Sequence, residues 1–167
     1  MTPLAIVPPR AHAHATAQVR VRRAELSDLD DLVALEEASF DHDRLSRAQF
    51  RRHLDSETAQ VLVASANHRN FLGTAVVFVR KNSANARLYS LASKPEARGK
   101  GVGTALIDAA EDYARARRCR ALRLEVRVDN ESAIRLYQRL GYRRLGAALA
   151  GYYEDGADAY RFEKALH

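Results

Sequence analysis

The chain of 167 residues has a single cysteine, a single methionine, four prolines and no tryptophan. One cysteine excludes an internal disulfide framework and is typical of a reducing compartment. Cys119 lies in a basic turn, and no histidine stands near it in a recognisable pattern. We therefore interpret it as a structural residue rather than as a nucleophile.

Long apolar runs are also missing. The apolar run near the start covers only residues 4–7 and is ended by Pro8 and Pro9. It is too short for the core of a signal peptide or for a membrane span, so we expect a cytoplasmic protein without a membrane partner. Residues 1–17 are predicted to be a disordered tail, with no metal site despite His12 and His14, and residues 18–167 to form one domain.

The charge balance raises the question of nucleic-acid binding. Lys and Arg together number 27 against 21 Asp and Glu, a formal net charge of +6. The basic residues are scattered, however, apart from one short cluster over 115–120, where a helix is predicted to end and cations are favoured. Because aromatic and basic residues do not interleave as in RNA-binding modules, we predict no specific nucleic-acid partner.

What the chain does have is a glycine-rich stretch at a strand–helix junction. Residues 98–103 read R-G-K-G-V-G, follow the apolar strand 88–92 and open an apolar-periodic helix. Glycine allows close approach of the backbone to a ligand, and the first N–H groups of a helix attract anions. The stretch predicts a phosphate or pyrophosphate site, although the P-loop and dinucleotide spacings do not fit. A glycine-rich turn without a ligand is the alternative.

Hydrophobic periodicity predicts the element order β-α-α-β-β-β-α-β-α-β-β in one layered domain. Capping boxes are predicted at Ser27 with Asp30 and at Ser46 with Gln49. Asn130 is predicted to cap the last helix. The predicted strands cover about 19–22, 60–64, 72–80, 87–92, 121–128, 142–145 and 158–163. The predicted helices run from Ser27 to about Phe40, from Ser46 through Leu54, from the glycine stretch to about Arg118, and from Asn130 to Gly141.

The second half of the chain carries a further pattern. A strand ends in Asn130, a short helix bears Tyr137, and Gly141 and Tyr142 follow. Together with R-x-x-G-x-G, this pattern resembles the GCN5-related N-acetyltransferase (GNAT) family over roughly residues 19–166. The L-E-V-R segment and the later G-Y-Y look like the RimI type, which acetylates N-terminal amines of proteins. The resemblance implies the α/β GNAT fold, with one mixed, mostly antiparallel sheet of about six to seven strands and about four helices.

The resemblance also implies acetyl-CoA as the cosubstrate, with no metal. The strand before the glycine stretch would offer backbone N–H groups to the pantetheine arm and the thioester, and the stretch itself would hold the pyrophosphate. The positions that match coenzyme A contacts of the family are Leu91, Ser93, Arg98, Gly99, Lys100, Gly101, Val102, Gly103, Thr104 and Asn130.

Two residues match catalytic positions of the family. Tyr137 would be the general acid, since a phenol with a reference pKa near 10 is protonated at neutral pH and can donate to a departing thiolate. The alternative is a core tyrosine. Glu125 would be the base, acting through water, although Arg123 and Arg127 on the same strand face would favour its ionised form. The alternative is an ion-pair partner.

The acceptor is expected to be an amine at the N-terminus of a protein or peptide. The residues assigned to its site are Phe40, Arg44, Tyr152 and Tyr153. Residues 40–46 depart from the Phe-Pro-Trp-like turn of the RimI type, and Ala157 replaces an acidic residue. The alternatives are a small-molecule amine as acceptor, or a sensor that binds acyl-CoA without turnover. We expect a monomer or a homodimer.

Overall fold

The computed structural model describes residues 18–67 and 69–167, so the predicted tail over 1–17 lies outside the described residues. The strands are β1 Val19–Arg23, β2 Ala59–Ala66, β3 Asn70–Val79, β4 Asn85–Ser93, β5 Ala121–Arg127, β6 Arg143–Leu149 and β7 Ala159–Ala165. The α-helices are α1 Leu29–Ser39, α2 Arg47–Leu54, α3 Val102–Ala116 and α4 Glu131–Arg139. Short 3-10 turns cover Leu26–Asp28 and Pro95–Ala97.

The strands form a seven-stranded sheet in the order β1-β2-β3-β4-β5-β7-β6. Only the β4–β5 pair is parallel, and every other pair in the sheet is antiparallel. The predicted element order and the mixed, mostly antiparallel sheet with four α-helices are confirmed. Some boundaries differ from the predicted ones. Helix α3 ends at Ala116 rather than at about Arg118, and β6 continues to Leu149 rather than ending near Leu145. Among the described helices, none is both long and apolar enough to cross a membrane.

The two faces of the sheet are buried differently. On one face, α3 places the fully buried Leu106 and Ile107 in the same cluster as Leu122 and Leu124 of β5. On the other face, α1 and α2 pack on β2, β3 and β4, and the fully buried Phe50 belongs to a second cluster. On this second face, β5 and β7 carry five charged and partly buried side chains, which are Arg123, Glu125, Arg127, Arg161 and Glu163. A polar strip therefore lies beside the second core.

The caps of α2 and α4 follow the predictions. The Ser46 hydroxyl accepts from the Gln49 amide at 3.1 Å, and the Gln49 side chain accepts from the Ser46 amide at 2.8 Å. The Asn130 Oδ1 atom accepts from the Ala133 amide at 3.2 Å at the start of α4. Gly141 follows the end of α4 with φ +94°, a conformation that favours glycine.

The capping box predicted for Ser27 and Asp30 is wrong. The box is formed by Glu25 and Asp28 around the 3-10 turn that precedes α1. Asp28 accepts from the Glu25 amide at 2.7 Å and from both terminal nitrogens of Arg22 at 2.7 Å. Arg22 on β1 thus holds Asp28 in a turn that lies before the predicted capping box. The local S-x-x-D pattern contains no information about this contact with β1.

Gly73 of β3 positions α3 against the sheet. A Cβ atom on Gly73 would lie 2.7 Å from the Ala92 carbonyl oxygen and 2.9 Å from Cγ1 of Val102. A glycine inside a strand often marks such a close approach of another segment. The first turn of α3, and with it the glycine stretch, therefore sits directly over β3 and β4. Gly73 was not among the residues predicted from the sequence.

Candidate active site

The two parallel central strands separate halfway along their length. β4 and β5 pair only from Asn85 opposite Ala121 to Leu88 opposite Leu124. Past that point β4 remains paired with β3 and β5 with β7. Tyr89 is an extra residue in β4, since Val76 pairs with Ser90 and Val77 with Leu88. Such a bulge bends its strand, which accounts for the gap that opens here.

One wall of the gap presents backbone amides. The Lys94 amide donates to the Leu72 carbonyl of β3 at 2.8 Å. Because successive residues of a strand direct their N–H groups to opposite sides, the amides of Ser93 and Leu91 are directed away from β3 and into the gap. These are the residues that the sequence resemblance assigned to coenzyme A.

The glycine stretch lies at the end of this wall. Gly99 and Gly101 have φ of +75° and +78°, and a Cβ atom on either would meet nothing within 4 Å. Gly101 is the N-cap of α3, and the amides of residues 102–104 form no hydrogen bond with another described residue. Arg98 and Lys100 are exposed beside it. Free amides, a helix N-terminus and two cations together suit a pyrophosphate.

Glu125 lies on the opposite wall, just past the last β4–β5 pair. Its side chain is only 9% exposed. Oε2 accepts from Nε of Arg87 at 3.0 Å, and Oε1 accepts from Nη2 of Arg161 at 3.3 Å and from its Nε at 3.4 Å. A carboxylate offers about four acceptor positions, so three of them are taken.

The arginines expected beside Glu125 are different ones. We predicted that Arg123 and Arg127 act on this carboxylate, and that prediction is wrong. Arg123 pairs with Glu163, and Arg127 forms a bidentate pair with Asp155 at 2.8 and 3.0 Å. Residues directly opposite on antiparallel strands interact most strongly, and the β5–β7 register sets Glu125 opposite Arg161. The sequence does not state this register, so Arg87 and Arg161 were missed.

Tyr137 is buried on α4, with 6% of its surface exposed. Its ring packs edge-on against Tyr142, with the centroids 5.9 Å apart. Burial raises the pKa of the Tyr137 phenol well above its usual value, with a smaller contribution from Tyr153. The phenol is therefore protonated throughout the physiological range. Tyr137 packs in the cluster that contains Leu106 and Leu122, which agrees with the alternative that it is a core tyrosine. The protonated phenol is also compatible with the predicted role of general acid.

Two loops meet beside Glu125. In the β6–β7 loop, the Tyr152 hydroxyl accepts from Nη2 of Arg87 at 2.6 Å, and the Tyr153 ring packs edge-on against that of Tyr152 at 5.0 Å. Burial raises the pKa of Tyr153 to about 12. The α1–α2 loop joins through Asp43, which accepts from the Glu154 amide at 3.2 Å. Arg87 thus links Glu125 to the predicted acceptor loop.

The other predicted acceptor residues have structural contacts. The Arg44 guanidinium donates to the carbonyl oxygens of Glu37, at 3.1 Å, and of Phe40, and so caps the end of α1. Phe40 is half-buried against the second core. The structure brings Tyr152 and Tyr153 into the network around Glu125, whereas Phe40 and Arg44 shape the neighbouring loop.

A sheet whose parallel central strands separate beside a glycine-opened helix defines an acetyltransferase-like fold. Residues 26–142 match the family model described as the Acetyltransferase (GNAT) family. The chain belongs to this family.

Individual relatives agree with this assignment. An uncharacterised N-acetyltransferase of Methanocaldococcus jannaschii is 49% identical over 76 residues, 45% of this chain and 48% of that protein, so the match spans about half of that relative. A putative [ribosomal protein bS18]-alanine N-acetyltransferase of Bacillus subtilis is 29% identical, over 83% of this chain and 90% of that one. The crystal structure of the Escherichia coli ribosomal-protein-S18-alanine N-acetyltransferase has a TM-score of 0.77 at 25% identity, covering 89% of this chain and 94% of that one.

Proposed function

We propose that the protein is an acetyl-CoA-dependent N-acetyltransferase that transfers the acetyl group directly to the N-terminal amine of a protein or peptide. The observation that carries the proposal is the gap between β4 and β5, with free amides and the glycine stretch on one wall and Glu125 on the other. Family membership supports the reaction type.

Acetyl-CoA fits the amide wall. The outward amides of Leu91 and Ser93 would hold the pantetheine arm and polarise the thioester carbonyl. The amides at the start of α3 would bind the pyrophosphate, with Arg98 or Lys100 adding charge. At Gly99 and Gly101 a Cβ atom would meet nothing within 4 Å, so the backbone there is open to a ligand.

Direct transfer needs a neutral amine and a proton for the thiolate. The amine attacks the thioester carbonyl carbon, the C–S bond breaks, and an amine proton leaves through water to Glu125. The fourth acceptor position of Glu125 is available to that water. An α-amino group has a reference pKa near 8, so it requires little basicity. Tyr137 donates the proton that the thiolate takes up.

A peptide N-terminus suits the acceptor side better than a polyamine does. The matched relatives of B. subtilis and E. coli are named for an alanine of a ribosomal protein. Three acidic residues of the acceptor side, which could otherwise attract a polyamine, already have partners in this protein. Asp155 binds Arg127, Asp43 binds the Glu154 amide and Asp158 binds the Gly151 amide.

Calorimetric titration with acetyl-CoA, followed by thiol release against N-terminal peptides and small amines, tests the proposal. We expect binding and peptide-dependent release of coenzyme A. Release only with small amines would replace the peptide with a metabolite as the acceptor. Binding without release on any amine would favour a non-catalytic sensor, and no binding would overturn the assignment of the glycine stretch.

A further inference from the structure

In direct contact with Glu125, guanidinium groups outnumber carboxylates. Arg87 and Arg161 reach Glu125 from the two flanking strands, so two cations surround one anion. The neighbouring ion pair on the same face, Arg123 with Glu163, is neutral by itself. The Arg87–Glu125–Arg161 cluster therefore has one positive charge that no carboxylate within it balances, at the point where β4 and β5 separate.

The arginines, rather than the carboxylate, face the solvent. The side chains of Arg87 and Arg161 are 37% and 39% exposed, whereas that of Glu125 is 9% exposed. Each guanidinium uses Nε and Nη2 in the network, and within residues 18–67 and 69–167 neither Nη1 forms a hydrogen bond. An arginine has five N–H donors, so both retain donors for a further anion.

We infer that the acceptor is a peptide whose first or second residue carries a side-chain carboxylate, which Arg87 and Arg161 bind while the N-terminal amine faces the thioester. This inference rests on the proposed function. Guanidinium groups bind carboxylates through paired, charge-assisted hydrogen bonds, and Arg suits this role better than Lys. Tyr152, held by Arg87, places the β6–β7 loop next to the same point.

A cationic acceptor would be disfavoured by the same charges. A lysine at the first or second peptide position would face two guanidinium groups, of which only one is offset by Glu125. Like charges brought together across an interface act against the wrong partner. The carboxylate therefore determines which N-termini bind, whereas Glu125 and Tyr137 act on the amine and the thiolate.

The test compares peptides that differ at one group. Peptides with Asp, Asn, Glu, Gln or Lys at the first or second position are assayed for kcat/KM by thiol release. A hydrogen bond to a charged group contributes about 1.5–3 kcal/mol, which corresponds to about a 10- to 150-fold preference for Asp over Asn. The preference should shrink as salt is raised, because both guanidinium groups are partly exposed.

Variants assign the preference to these arginines. Arg161→Gln and Arg87→Gln should reduce the Asp/Asn ratio of kcat/KM towards one, even where turnover falls for every peptide. Arg123→Gln is the matched control, since Arg123 lies on the same sheet face but is held by Glu163, and it should keep the ratio. The ratio separates recognition of the carboxylate from a general loss of folding or of Glu125 positioning.

The possible results distinguish a failure of the carboxylate preference from a failure of the proposed N-terminal acetylation. Equal kcat/KM for Asp and Asn peptides, with coenzyme A still released, would overturn the inference and leave N-terminal acetylation standing. An unchanged ratio in both arginine variants would also overturn it. Faster acetylation of free aspartate or glutamate than of any peptide would reject the peptide class. No release with any amine would overturn the proposed function itself.

Discussion

Replacing Tyr137 by phenylalanine removes one hydroxyl and leaves the ring against Tyr142. If Tyr137 is the acid, the variant should lose about 10²-fold in kcat, the lower range for a positioned proton donor, with little change in KM for acetyl-CoA. The raised pKa of this phenol keeps it protonated, so it should add no alkaline limb to the pH profile of the wild type between pH 6 and 9. Steady-state kinetics over that range provide the measurement.

Tyr142→Phe is the control for that variant. Its ring belongs to the same buried pair, but its hydroxyl bonds to Glu111 at 3.3 Å, and Lys164 also binds that carboxylate at 2.6 Å. We expect unchanged kcat with some loss of stability. Equal kcat values for the wild type and Tyr137→Phe would return Tyr137 to the role of a core tyrosine.

The structural role of a residue was predictable from the sequence where it depends only on neighbouring residues in the chain. The helix cap at Asn130 and the positive φ angles of Gly99 and Gly101 follow from helix capping and from backbone conformation. Arg87 and Arg161 were not predictable, because their contact with Glu125 depends on which strands are adjacent and in which register. The charge of a strand residue does not show which residue it pairs with.

At the scale of elements, a substitution at Gly73 tests how closely α3 packs against the sheet. Gly73→Ala should lower the free energy of unfolding by about 1–3 kcal/mol, because the added methyl meets the Ala92 carbonyl oxygen and Val102. Urea unfolding of the apo protein measures this. Gly103→Ala is the control, since its Cβ would meet only the mobile end of Leu136 at 3.1 Å and helix propensity offsets the contact. A smaller loss for Gly73→Ala than for Gly103→Ala would contradict this explanation.

Glu36 fixes the loop between α1 and α2 from inside the core. It is 2% exposed, Oε1 accepts from the Leu45 amide at 2.9 Å, and Oε2 has no hydrogen-bond partner among the described residues. Burial raises the pKa of this carboxyl. Its favourable contribution is therefore fully present below the ordinary pKa near 4.5 and is lost as the pH rises through the raised value.

Glu36→Gln keeps the acceptor for Leu45 and removes the titration. We expect the variant to be more stable than the wild type at pH 7, by about 1–3 kcal/mol, with the difference narrowing towards pH 4. Glu36→Leu leaves the Leu45 amide without its hydrogen-bond acceptor and should be less stable than the wild type at both pH 4 and pH 7. Denaturant unfolding at pH 4 and pH 7 checks this, and a constant difference between wild type and Gln variant would rule out the proposed titration.

For the molecule as a whole, periodicity and turn residues were sufficient for the element order, and the resemblance to the GNAT family supplied the fold class. They were not sufficient for the depth of the β4–β5 gap, which depends on the bulge at Tyr89. A bulge arises from the pairing of two strands, and no residue in β4 marks it by type. The glycine stretch at the start of α3 was predictable from the sequence, whereas the hydrogen-bond network that holds Glu125 was not.

Acid stability tests how β1 is joined to the first helix. Arg22 holds the pKa of Asp28 below its usual 3.8, against the opposing effect of burial. The stability that Asp28 contributes is therefore present above pH 3.8 and lost as the pH falls through the lowered value. Asp28→Asn should cost about 1–3 kcal/mol at pH 7 and progressively less below pH 4. Asp30→Asn breaks the ion pair between Asp30 and Arg47. Because the Asp30 side chain is 88% exposed, this variant should lower the free energy of unfolding by less than about 1 kcal/mol. Unfolding followed by circular dichroism from pH 2 to 7 would reject this account if both variants lost stability equally.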